Sequence, residues 1–387
     1  MYVERDVEEH FDKVTEIYNI VAVVGARQSG KTTLLRKKLG ELDGEYVTLD
    51  DPDARDMFNE DIKKFEKQYI VSNKITGIDE AQYGQDAGIK LKYLADKGYK
   101  LWITSSSETL LSKDVLSHLV GRVSIIKLYP FSLQEIKKAK KTRELTDKIK
   151  QRLVWEHAAY GGYPKVVLED DTESRKIILR DLINTMLLKD VSQTFSIDDL
   201  TSLEKLAKYL AVNTGNIISY ENITSYLDIA FQTLKKYLDA MEKSYITKTI
   251  QPYYTNKNKE LTKKPRIYFI DTGLRNTLIN NYPTDVQGKD FENYVLAELL
   301  KQGHQVKYWR TKSKAEVDFI IEKDNILIPI EVKTTTAKTT SGLKSFIKTY
   351  KPEKAYITTY KSRTKQEEYN GCTITATDIH GLLKNIS

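Results

Sequence analysis

Residues 25–32 read Gly25-Ala26-Arg27-Gln28-Ser29-Gly30-Lys31-Thr32 and fit G-x-x-x-x-G-K-[ST], the pattern of a phosphate-binding loop. The flanks fit it too. Ile20 to Val24 is a short apolar run that suits a buried strand, and Thr33 to Leu39 suits a helix. A glycine-rich turn between strand and helix aims backbone N–H groups and the positive helix end at phosphates. The loop from Gly25 through Thr33 is therefore the candidate site for ATP. Lys31 would reach the β- and γ-phosphates, and Thr32 would hold Mg²⁺. The plainer alternative is a chance match in a glycine-rich loop, and the strand–helix context argues against it.

Length and composition bound what surrounds this loop. The 387 residues leave room for two or three domains. A content of 40% hydrophobic and 30% charged residues is that of a globular chain. The net charge of +7 permits a nucleic-acid partner without requiring one. A single cysteine, Cys372, excludes a disulfide framework and any multi-cysteine metal site, so a reducing, cytoplasmic setting is expected. The N-terminus is charged and lacks the apolar core of a signal peptide. No apolar run approaches the roughly 20 residues of a membrane span, so no membrane partner is expected.

Carboxylates follow the loop at a telling distance. Ile75-Thr76-Gly77-Ile78-Asp79-Glu80 is an apolar strand ending in Asp-Glu, with Asp79 placed 48 residues after Lys31. Asp79 would help hold Mg²⁺, and Glu80 would orient the water that attacks the γ-phosphate. Tyr99 to Ser107 is the next strand and ends in hydroxyls, of which Ser105 or Ser106 would touch the γ-phosphate or the water. A serine-rich cap before Glu108-Thr109-Leu110-Leu111 explains the same residues equally well. Arg122, just before the strand from Val123 to Leu128, suits an arginine finger; a surface salt bridge is the alternative. If Arg122 acts in trans, hydrolysis requires a homo-oligomer.

Taken together, Gly25 to Leu34, Ile78-Asp79-Glu80-Ala81-Gln82, Leu119-Val120-Gly121-Arg122-Val123 and Leu128 to Glu135 resemble a group of prokaryotic AAA-type ATPases that carry a C-terminal domain of unknown function. The resemblance continues in order through Tyr160-Gly161-Gly162-Tyr163-Pro164, Tyr268 to Leu274, Phe291-Glu292-Asn293 and Tyr308-Trp309-Arg310, and covers roughly residues 5 to 375. It implies an α/β chain with an ATPase core, a winged helix and a nuclease-like C-terminal fold. The expected division is 1–130 for the AAA-type P-loop core, 131–200 for a helical lid, 201–272 for the winged helix and 273–387 for the nuclease-like domain.

The residues of the middle support this reading independently. Pro130 to about Thr194 is helical in pattern, with a structural break at Gly161 to Pro164. Helices are expected over Leu203–Val212, from a Ser219 cap to Leu227, and over Phe231–Lys243. Strands at 245–250 and 266–270 would flank the basic loop 256–259. In a winged helix the third helix commonly enters the DNA major groove. Gln232, Thr233, Lys235 and Lys236, with Lys257, Lys259, Lys263 and Lys264 on the wing, are the candidate DNA contacts. Such modules also serve purely for packing or protein docking.

The C-terminal part holds a second set of polar residues. Glu316 to Ile321 and Ile326 to Lys333 read as strands of a hairpin. Period-two alternation sets Ile326, Ile328, Ile330 and Val332 on one face and Glu331 with Lys333 on the other. Asp318 lies opposite if the strands pair. This is the PD-(D/E)xK nuclease arrangement, with Val317 where the proline of its name would stand. Asp318 and Glu331 would hold Mg²⁺ or Mn²⁺, which favour carboxylates. Lys333 would stabilise the nucleophile, and Glu292 on the preceding helix would complete the site. A retained fold with an inactive site is the competing reading. Trp309 could stack on nucleic acid, although a core tryptophan is the plainer account.

Overall fold

The run at 20–24 becomes β1 (Ile20–Val24), buried at every position. A strand apolar on both faces belongs in the middle of a parallel sheet. The computed structural model describes residues 2–106, 117–141, 146–255, 263–286, 288–335, 337–360 and 364–386. The expected cap residues Glu108 to Leu111 and the wing lysines Lys257 and Lys259 lie outside them. The N-terminal part runs α1 (Glu8–Ile17), β1, α2 (Lys31–Glu41), β2 (Glu45–Thr48), α3 (Pro52–Glu60), α4 (Ile62–Tyr69), β3 (Ile75–Asp79), α5 (Ala87–Asp96), β4 (Lys100–Ser105) and β5 (Val123–Lys127). Its five strands are parallel in the order β2-β3-β4-β1-β5. β4 therefore separates the loop strand β1 from the carboxylate strand β3. β2 ends at Thr48, and the Asp51 side chain accepts from the Asp53 and Ala54 N–H groups and caps α3.

A helical region follows: α6 (Leu133–Ala139), α7 (Asp147–Tyr160), α8 (Pro164–Val167) and α9 (Thr172–Thr185), which continues as a π-helical stretch, Met186–Gln193. The break at 161–164 is a packing joint. Gly161 has φ of 76°, and the Gly162 N–H donates to buried Asp271 at 2.7 Å. A Cβ on Gly273 would stand 2.2 Å from the Tyr160 carbonyl oxygen. Three helices, α10 (Leu200–Val212), α11 (Tyr220–Leu227) and α12 (Phe231–Lys243), lead into antiparallel β6 (Thr247–Ile250) and β7 (Arg266–Phe269), the expected order of elements. Ser219 stands at the start of α11, but its hydroxyl meets Glu221 rather than capping the backbone. The next helix, α13 (Thr272–Leu278), is tied back to α7: the Asn276 amide donates to the Ala158 and Ala159 carbonyls at 3.0 Å.

The C-terminal part comprises α14 (Gly288–Lys301), β8 (Val306–Arg310), β9 (Glu316–Lys323), β10 (Ile326–Lys333), α15 (Ser341–Tyr350), β11 (Lys354–Thr359), β12 (Lys365–Tyr369), β13 (Cys372–Asp378) and α16 (Ile379–Ile386). Its sheet runs β12-β13-β11-β10-β9-β8, with β10, β11 and β13 parallel. β9 and β10 form the expected hairpin, closed by Asp324 and Asn325, both at positive φ as a tight two-residue turn demands. One apolar core joins Val24 and Ala26 at the phosphate loop, the helical region, and Ile330 and Tyr356 of the C-terminal sheet.

Candidate functional site

The phosphate loop leaves β1 at its carboxyl end, where ligands of parallel α/β sheets bind. Gly30 reaches φ of 102° at the start of α2, and no side chain caps that helix. Its first amides thus stay available to an anion. Gly25 has to be glycine: a Cβ there would lie 2.1 Å from the Leu128 carbonyl oxygen. Ser29 is fully buried, and its hydroxyl has no partner among the described residues. Lys31 is buried and donates to the Gly25 and Ala26 carbonyls at 3.0 Å each. Burial pulls its ammonium below the ordinary lysine range, opposed by the nearby carboxylates of Glu80, Asp190 and Asp79. A narrow loop with free amides, an orphaned hydroxyl and a desolvated cation fits a polyphosphate.

The end of β3, one strand beyond β4, supplies the expected carboxylates. Thr32 donates to Asp79 at 2.8 Å, as does the Tyr46 hydroxyl. Thr104 also donates to Asp79 and accepts the Glu80 N–H at 2.9 Å. Gln82 donates to Glu80 and, at 3.1 Å, to the Ser106 hydroxyl. Ser106 therefore reaches Glu80 through Gln82. Ser105 contributes its carbonyl, which accepts the Gly25 N–H at 3.2 Å. Thr104 and Gln82 were not singled out from the sequence. Period two along β4 groups Thr104 with Ser106, a signal that could have found the first.

Arg27 reaches out of the loop to Asp190. Arg5, also missed, lies buried and clasps the loop from outside, donating to the Ser29 carbonyl at 2.8 Å and to Glu135 at 2.9 Å. Gln28, at φ of 59°, completes the loop, and Thr33 follows in α2. Arg122 is not brought to this site. The Ile20–Val123 pairing puts it at the amino end of the strands, opposite the loop, where it meets Asp96 at 2.6 Å. Arg122 and its own loop thus stand at opposite ends of the sheet, and the salt bridge named as the alternative is the contact present.

In the C-terminal sheet Asp318 and Glu331 are buried on neighbouring strands. Between the Lys307–Ile320 and Trp309–Val317 pairs, β9 carries one residue more than β8, a bulge at Asp318-Phe319 that interrupts simple alternation. Asp318 accepts the Val332 N–H at 2.9 Å. Glu331 accepts from Thr340 at 2.5 Å and lies 2.9 Å from Lys333. Burial, then the charges of Glu292 and Glu331, push the Asp318 carboxyl up to about 7. Burial lowers Lys333, but Asp318 and Glu331 more than offset it. Glu292 accepts from Tyr268 and Lys289 at 2.6 Å and pairs with Arg266, while its charge still acts on Asp318 and Lys333. Among the described residues no group of three or more His, Cys, Asp or Glu side chains converges to hold a metal ion. Trp309 is buried against Phe346 and Tyr350, the core role.

Residues 18–137 match the model of an AAA domain. With the parallel sheet and the loop at its centre, this part of the chain is a P-loop ATPase domain of the AAA type. Residues 151–285 and 287–379 match two domains of unknown function (DUF8612 and DUF4143). An uncharacterized protein of Haemophilus influenzae is 26% identical over 336 residues, covering 81% of this chain and 82% of its own. One of Mycobacterium tuberculosis is 25% identical over 351 residues, covering 87% and 75%. Among solved structures, a Walker-type ATPase of Pyrococcus abyssi is similar at 17% identity, with a TM-score of 0.48 over 71% of this chain and 96% of its own. Among the described residues no helix is long and apolar enough to cross a membrane.

Proposed function

We propose that the protein hydrolyses ATP at its N-terminal domain and uses the nucleotide state to set how its later segments engage DNA. The observation that carries the first half is the junction of Thr32 with Asp79 at 2.8 Å, with Glu80 beside it on the same strand end. Lys31 would exchange the Gly25 and Ala26 carbonyls for phosphate oxygens. Thr32 and Asp79 would hold Mg²⁺, which when bound neutralises charge on the β- and γ-phosphates. Glu80, steadied by Gln82, would orient the attacking water. Arg122 would serve a neighbouring copy, which makes the hydrolysing species a homo-oligomer. The test is ATP turnover and binding: Lys31→Ala should abolish both, and binding retained in that variant would refute the site.

The DNA half is supported by the three-helix segment with its strand pair, read as a winged helix, and by exposed Gln232 and Lys235 on α12. Lys236 instead donates to the Ser196 carbonyl at 2.7 Å, and Lys264 pairs with Glu221. Phosphate contacts weaken steeply with salt. Absent or salt-insensitive DNA association would therefore sink this half.

A second reading rests on Asp318, Glu331 and Lys333. Burial and the charges of Glu292 and Glu331 push the Asp318 carboxyl up, which a divalent cation would relieve. Asp318 and Glu331 would hold Mg²⁺ or Mn²⁺, and Lys333 would face the phosphodiester in a nuclease site. Metal-dependent cleavage of single-stranded, duplex and branched DNA, lost in Asp318→Ala, would support it. No cleavage of any substrate by the wild type would leave this patch a structural one.

A further inference from the structure

Arg27 is part of the phosphate loop, yet its guanidinium faces a different partner. It grips Asp190 with two nitrogens, at 2.9 Å from Nη2 to Oδ1 and at 3.2 and 3.1 Å from Nε to the two oxygens. Asp190 is 4% exposed and Arg27 23%, so the pair is sheltered from solvent but reachable on the arginine side. Asp190 belongs to the π-helical stretch Met186–Gln193. Such wide turns are rare and cluster at functional positions. The Asp190 carbonyl accepts from the Ser244 hydroxyl at 3.0 Å, at the end of α12. One residue therefore joins the phosphate loop, the helical region and the three-helix segment. Asp190, Glu80 and Arg27 all lie close enough to the Lys31 ammonium for their charges to act on it.

We infer that Asp190 is a specificity-determining residue that competes with the terminal phosphate of a nucleoside triphosphate for Arg27. The inference rests on the nucleotide reading of the loop given above. A carboxylate and a phosphoryl group are both bidentate partners for a guanidinium, and Asp190 takes the Nε/Nη2 edge of Arg27. A triphosphate takes Arg27 and releases Asp190 with the π-helical stretch. A diphosphate lacks the competing group and leaves the pair in place. The release is the signal that α9, Ser244 and α12 receive.

The experiment measures the affinities of a non-hydrolysable ATP analogue and of ADP for the full chain, for Asp190→Asn, Asp190→Glu and Arg27→Gln, and for the Arg27→Gln/Asp190→Asn pair. Asp190→Asn should tighten the triphosphate by about tenfold, in the range of typical coupling between sites, and leave ADP unchanged. Asp190→Glu, which keeps the charge, should restore the wild-type ratio. Arg27→Gln should erase the preference for triphosphate, and adding Asp190→Asn to it should change nothing further. This arm holds even if Asp190→Asn fails to fold. Equal shifts for both nucleotides, or a shift that persists without Arg27, would overturn the inference. If the wild type binds ATP, Lys31→Ala abolishes that binding and the ratio is unmoved in Asp190→Asn, only this inference falls. If the wild type binds no nucleotide, both fall.

Discussion

Glu80 holds a backbone conformation that a residue with a Cβ seldom adopts, φ of 53°, and Thr104 fixes it there by accepting its N–H. Strain of this kind persists where the surroundings over-determine it, as at reacting centres. Glu80→Gln keeps the shape and removes the charge. It should bind ATP normally and hydrolyse it about a hundredfold more slowly or worse, the scale of losing a general base. Normal turnover in that variant would remove Glu80 from the mechanism. Asp318 gives a pH test. In the folded protein its carboxyl is pushed up to about 7, whereas the unfolded chain returns it to the ordinary carboxylate value of 3.8. Between those values the folded state holds the extra proton, so stability from this group is present at low pH and is lost as pH rises toward 7. In metal-free buffer Asp318→Asn should therefore raise the melting temperature over wild type at pH 8 and gain much less at pH 5. A gain independent of pH would show that Asp318 is not the group that titrates. Lys31, Asp79 and Glu80 were legible as a motif because short segments set their spacing. Asp190 and Arg5 were not, because each meets the loop across more than twenty residues of intervening chain and carries no local pattern.

At the scale of elements, the strands and helices around the loop follow from runs of apolar residues and their period. The β9 bulge does not, since one extra residue leaves the composition of the strand unchanged while re-aiming Asp318. The contacts that engage Glu292 were illegible for a related reason. Its partners Arg266 and Tyr268 come from β7, an element whose approach no spacing along α14 reveals. The joint at Gly161, Gly162 and Gly273 was visible as glycines but not as a contact. There α13 approaches the end of α7 so closely that a Gly273 Cβ would meet Tyr160 backbone at 2.2 Å. Backbone cannot yield as a side-chain end would. Gly273→Ala should cost about 2 kcal/mol or more, in the range of overpacking, and appear as a fall in thermal midpoint. An unchanged midpoint would mean that α13 can slide on α7, and that this joint does not fix the helical region.

For the whole molecule, the decisive geometry is the distance between Arg122 and the loop it was expected to serve. β5 is the sheet's edge strand, and its surroundings expose Val120 at 72% and Ile125 at 36%. Among the described residues no strand pairs with the outer side of β5, and an edge with apolar side chains is a surface that another chain can cover. If a second copy covers it, Arg122 leaves Asp96 and points into that copy's phosphate loop, where an arginine stabilises charge developing on the transferred phosphoryl group. Arg122→Ala should then bind ATP like wild type and hydrolyse it far more slowly. Lys31→Ala should be inactive because it binds no nucleotide. Mixed together, the two inactive proteins should recover part of the activity, because an Arg122→Ala subunit keeps an intact loop and receives its arginine from a Lys31→Ala neighbour. The recovered rate should depend on total protein concentration, as association requires. Unrescued mixtures, together with a concentration-independent wild-type rate, would leave Arg122 as a surface partner of Asp96. Charge stabilisation at the loop would then fall to cations that the fold does bring there, Lys31 and Arg27 among them.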